Sequence, residues 1–236
     1  MSTTSPESHV VVPQVRARTP EEQRRRRWGV LGLAVAGASL FGLSFRFPYW
    51  HFFLVAPQYP KGLKFDINLT GITGDLFEID ILNHYIGMKP LSEGALLEAA
   101  MSPYIVTLVC LGVLAGLIGA GKRIGWIGLV PALGLPLGFL ADTFYWMYHF
   151  GHSLSEDQPI TFAPFMPTLF GEGKVGQFHT TAWPALGFWM AVAGAVLVTI
   201  AVLLRRNVCD HCPKGGTCGA GCSHLMVFKM PEKDPS

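Results

Sequence analysis

The feature that most constrains this chain is a set of four long apolar runs, at 28–45, 103–121, 124–150 and 183–204, each flanked at one end by arginine or lysine. A helix rises about 1.5 Å per residue, so roughly 20 apolar residues cross a hydrocarbon core of about 30 Å. Only the third run contains an acidic residue, Asp142. With 14% charged residues and 50% hydrophobic ones, the chain is too apolar for an ordinary soluble domain of 236 residues. The expected fold is an all-α membrane protein of four transmembrane helices, carrying a small extracytoplasmic cap with a β-hairpin. Pro131 and Pro136 remove backbone donors from the third span and predict a kink there.

Arg24, Arg25, Arg26 and Arg27, then Lys122 with Arg123, then Arg205 with Arg206 all fall on one side of this four-span arrangement. Basic residues are retained on the cytoplasmic side, so the pattern predicts a bacterial cytoplasmic membrane protein with both termini inside. A cleaved signal peptide shares the basic block and the small residues Ala36 and Ala38, but the first run continues past them. On the other side, Phe47, Tyr49, Trp50, Phe52, Tyr104, Tyr145, Trp146, Tyr148 and Trp183 suit an aromatic belt. Residues 1–27 read as a disordered cytoplasmic tail, and 205–236 as a cytoplasmic cysteine-rich tail.

The outer segments are 46–102 and 151–182. Phe65, Ile67 and Leu69 alternate with polar residues, and Phe77, Ile79 and Ile81 alternate again beyond a glycine-containing turn at 71–75, which predicts the hairpin. A short helix over 93–101 would lead into the second span. The segment 151–182, rich in Pro, Gly and Phe, reads as ordered loop.

Candidate chemistry falls into three groups. On the third span Asp142, Tyr145, His149 and His152 recur at helical spacing and share a stripe near the outer edge of the hydrocarbon. The stripe is either a polar cluster capping the outer loop or a metal or quinol site, since ionisable groups at that depth tend to be functional. His84 and Met88 are four apart after the hairpin. Imidazole with thioether suits copper, and His149, His152 and His179 lie on the same side. The same residues would equally serve as packing. Cys209, Cys212, Cys218 and Cys222 lie within a short glycine-rich stretch. In a reducing cytoplasm, four thiolates so close point to zinc or an iron–sulfur cluster rather than two disulfides, with a redox-active or loosely structured tail as the alternative. No phosphate-binding loop, nucleophile elbow or HExxH is present, so catalytic turnover has no motif behind it, and the small net charge of +2 offers no nucleic-acid surface.

The stretches APQYPKGL at 56–63, ILNHYIGM at 81–88, and 162–167 through 176–178 resemble the small polytopic membrane proteins encoded with atypical, Sec-exported nitrous-oxide reductases and copper-enzyme maturation genes. That resemblance implies an accessory role in copper handling or assembly of an exported respiratory copper enzyme, with His84 and Met88 as copper ligands. It does not extend to the cysteines. A quinol-linked electron-transfer subunit with a cytoplasmic iron–sulfur centre is the rival expectation. A structural partner that docks a membrane or extracytoplasmic protein and binds no metal is the third.

Overall fold

A computed structural model describes residues 20–118, 125–155 and 163–206. Their elements run α1 (Pro20–Ser44), β1 (Trp50–Ala56), β2 (Tyr59–Asn68), β3 (Gly71–Gly74), α2 (Leu76–Tyr85), a 3-10 turn at Leu91–Glu93, α3 (Leu96–Ile118), α4 (Gly125–His152), β4 (Gly171–Val175), β5 (Phe178–Pro184) and α5 (Leu186–Arg206). Among the described residues, α1, α3, α4 and α5 are the four helices long and apolar enough to cross a membrane. The chain is on that basis a multi-pass membrane protein.

The four long helices pack in the cyclic order α1, α3, α4, α5. Lipid-like surroundings supply no hydrophobic drive for helix association, so close contact depends on small residues. The seam between α1 and α5 shows this. Ala34 and Ala38 of α1 and Ala191, Ala195 and Ala201 of α5 are all buried, and across the seam a methyl group built on Gly37 would lie 2.8 Å from Val198 Cγ2 and 3.2 Å from the Gly194 carbonyl. The large apolar side chains turn outward instead: Leu108, Leu137, Trp189 and Val196 are all more than half exposed.

The fold is not all-α. The two outer segments join in one five-stranded antiparallel sheet, ordered β3-β2-β1-β5-β4. Its central strand comes from the run Trp50 to Ala56, part of which reads in sequence as an aromatic belt. Tyr49, Trp50 and Phe52 are in fact 0%, 0% and 2% exposed. They form the joint between sheet and bundle: the Trp50 ring meets Phe188 of α5 at 5.4 Å and Phe170 at 4.8 Å, while Tyr49 meets Phe139 of α4 at 4.8 Å. Trp50 Nε1 donates to the Leu169 carbonyl at 2.9 Å, which satisfies its one polar group.

The segment 151–182 is likewise not simply loop. Val175 pairs with Phe178 across a two-residue turn whose first residue, Gly176, has φ 58. This is hairpin-turn chemistry that glycine adopts without steric cost. β5 then pairs residue for residue with β1, from Trp50 opposite Pro184 to Val55 opposite His179.

The expected hairpin is present only in its first strand. β2 covers Phe65 and Ile67, but β3 stops at Gly74, and Phe77, Ile79 and Ile81 are helical in α2. The buried set there is Ile79, Leu82, Asn83 and Ile86, spaced three and four apart, and this helical period wins over the shorter alternation. Phe77 is 75% exposed as a result. Asp80 of α2 accepts from the Leu91 and Ser92 amides at 2.5 and 3.4 Å, holding the 3-10 turn. The helix expected over 93–101 is the first part of α3 itself, which begins at Leu96 and carries Pro103 inside it.

The connectivity puts the C-terminal end of α1, the N-terminal end of α3, the C-terminal end of α4 and the N-terminal end of α5 at the sheet. The sheet is therefore a cap on one end of the bundle.

Candidate functional site

The last three turns of α4 carry the polar stripe into the cap. From Asp142 to His152 the helix advances about 15 Å. Tyr145 and His149 stack at 6.0 Å with an interplanar angle of 12°, and Trp146 meets His149 edge-on at 5.8 Å. Three of the expected residues, Asp142, Tyr145 and His149, are thus on one side of α4, with Trp146 among them.

Two further residues complete this surface, and neither is evident from the sequence. Glu98, in the first turn of α3, accepts from Trp146 Nε1 through Oε1 at 3.4 Å. Its other oxygen, Oε2, is buried and has no hydrogen-bond partner. Asp142, about one turn from Trp146 on α4, lies within electrostatic reach of Glu98. Lys89 Nζ lies 3.3 Å from His149 Nε2. An ammonium can only donate, so Nε2 carries the lone pair and Nδ1 bears the proton, directed to Ser153 Oγ at 3.3 Å. The stripe therefore offers acceptors at Glu98 and Asp142, a donor at Lys89, and a flat aromatic wall between them. Glu98 and Lys89 are 48 and 60 residues from their α4 partners, so only the tertiary fold could reveal them.

The other expected ligands are dispersed. His152 donates through Nδ1 to the Tyr148 carbonyl at 2.9 Å and stacks on the Tyr148 ring at 3.9 Å. His84 is exposed on α2, whereas Met88 is half-buried and lines an internal cavity. His179 is exposed on the outer face of the sheet, as is His51, whose Nδ1 lies 2.6 Å from Asp66 Oδ1. Among the described residues no group of three or more His, Cys, Asp or Glu side chains is gathered as a metal site. Cys209, Cys212, Cys218 and Cys222 lie outside the described residues.

The cavity lies between the inner face of the sheet and helices α2 and α4. Phe52, Leu54 and Phe65 form its roof, Ile79 and Leu82 one wall, and Met147 and Phe150 its floor. Among its lining residues only Asn83 and Thr180 are polar. Its volume is about 100 Å³.

No protein-family model matches the chain, and no curated protein matches it in sequence.

Proposed function

We propose that this chain is a quinol-binding membrane subunit, with the headgroup held at the α3–α4 seam by Glu98, Asp142, Tyr145, Trp146 and His149. The observation that carries the reading is the orphaned Oε2 of Glu98, whose other oxygen holds Trp146 of the aromatic wall and which lies within electrostatic reach of Asp142. A buried carboxylate oxygen without a donor is costly, and a hydroquinone hydroxyl supplies one. The ring of such a ligand stacks on Tyr145, its hydrocarbon tail remains in the bilayer, and the carboxylates accept its protons.

If the bound quinol is oxidised, it gives up two electrons and two protons. The electron acceptor then belongs on the cap side, in a partner protein. The cysteines follow α5, whose 21 residues extend about 31 Å from the cap. The cap itself is read as extracytoplasmic from the basic blocks at the opposite end of the bundle.

The test is equilibrium binding of decyl-hydroquinone to the protein in lipid nanodiscs, with empty nanodiscs as the blank. Glu98→Gln and Asp142→Asn are each expected to weaken binding about tenfold, the equivalent of about 1.4 kcal/mol and comparable to one charge-assisted hydrogen bond. Uptake equal to empty nanodiscs, or unchanged affinity in both variants, overturns the reading.

Copper handling has less support in the geometry, because His84 faces solvent while Met88 faces the cavity. Elemental analysis of protein supplied with Cu(I) decides it. Stoichiometric copper that is lost in the His84→Ala, Met88→Ala double variant would restore it over the quinol reading.

A further inference from the structure

We propose that the cavity beneath the sheet binds the hydrocarbon chain of a membrane phospholipid. This site is separate from the α3–α4 seam and does not rest on the quinol reading. Three observations carry it.

The lining is chemically uniform. Phenyl, alkyl and thioether groups surround the space, and the two polar residues are an amide and a hydroxyl, so no charge is present to hold an ionic or metal ligand. A space lined in this way favours uncharged apolar molecules over ionic ones. An engineered apolar cavity of roughly 150 Å³ stays dry and admits benzene. At about 100 Å³ the present one accommodates the end of a single chain.

The position selects the source. Met147 and Phe150 belong to the same membrane-crossing helix whose exposed Phe144 and Leu137 face the lipid, so the cavity floor is continuous with the bundle end where the bilayer terminates. The nearest source of an apolar chain is therefore the adjacent leaflet.

The cap is built to keep the space open. The sheet is pinned over it at Trp50 and Tyr49, and α2 is fixed by Asp80 to the 3-10 turn, so the walls are fastened from opposite sides rather than collapsed together.

The experiment uses the full chain in nanodiscs containing a phosphatidylcholine with a terminal diazirine on one acyl chain. A parallel sample carries the same diazirine on a free fatty acid. After photolysis, adducts are mapped by peptide mass spectrometry. The expected result is phospholipid adducts on Leu82, Met147 or Phe150, in addition to those on lipid-facing Leu108 and Leu137. In Val175→Phe, which fills the cavity from β4, the cavity adducts are expected to fall about tenfold while the lipid-facing ones, as internal standard, remain. Adducts on lipid-facing residues alone in wild-type protein overturn the proposal, whether or not the variant folds. Cavity adducts from the free fatty acid alone overturn the phospholipid assignment.

Discussion

Tyr49 shows how a single residue ties bundle to cap. Its side chain is fully buried, and its hydroxyl lies 2.8 Å from Ser44 Oγ. Ser44 Oγ already donates to the Phe41 carbonyl at 2.7 Å, so the phenol is the donor in that pair. Burial pushes the Tyr49 phenol up to about 12 from its ordinary value of 10.0. The raised value belongs to the folded state. The stability it confers is therefore complete below pH 10, and is lost as pH climbs toward 12, because the unfolded phenol gives up its proton first. The expected loss is about 1.4 kcal/mol per pH unit in that window. Denaturant unfolding between about pH 9 and 12 in phosphatidylcholine nanodiscs checks it. Tyr49→Phe should flatten this part of the slope, and an identical slope in the variant would assign the loss to other groups. The same residue reads in sequence as a membrane-interface aromatic, since composition shows that Tyr, Trp and Phe cluster near a span end but not which way they point. Glu98 was beyond such reading for a related reason: an acidic residue before an apolar run looks solvated until Trp146 and Asp142 are brought against it.

At the level of elements, the spans were legible because length and hydropathy settle them over some twenty residues, and flanking sequence cannot overturn that sum. The cap was less legible. In α2 two periods overlap: Phe77, Ile79 and Ile81 satisfy a strand, while Ile79, Leu82, Asn83 and Ile86 satisfy a helix, and the choice depends on what covers the segment. In β4 and β5 the glycines obscured the strands. Gly171 and Gly173 dilute any alternation, yet Gly173 is required where a Cβ would collide with Thr168. The hairpin turn carries a sharper expectation. Gly176→Val forces a β-branched residue to φ 58, a cost of about 1–2 kcal/mol localised to the turn. Hydrogen exchange should rise across β4 and β5 while α1 and α5 keep their protection. Uniform exchange across sheet and bundle would mean that the cap does not open as a unit of its own.

For the whole molecule, the fold groups the helix ends and the charge pattern then predicts their sidedness. Four crossings place the C-terminal end of α3 and the N-terminal end of α4 at the end away from the sheet, together with the N-terminal end of α1 and the C-terminal end of α5. The basic residues Arg24, Arg25, Arg26, Arg27, Lys122, Arg123, Arg205 and Arg206 are all in or next to that end in sequence. If such clusters are retained on the cytoplasmic side, the expectation is a cap on the outside. On that expectation the acidic and aromatic stripe of α4 is at the outer leaflet and both termini are cytoplasmic. Single cysteines introduced at Gln58, in the turn between β1 and β2, and at Ser5 give the measurement, each in a background with the native cysteines replaced. A membrane-impermeant maleimide applied to intact spheroplasts should label the cysteine replacing Gln58 and leave the one replacing Ser5 unlabelled until the cells are lysed. Labelling of both before lysis would break the four-span reading, and labelling at Ser5 alone would invert it. Inversion would also place the seam of Glu98 and Asp142 at the cytoplasmic leaflet, so that on the proposed quinol reading the protons would remain inside the cell and an exported electron acceptor would be out of reach.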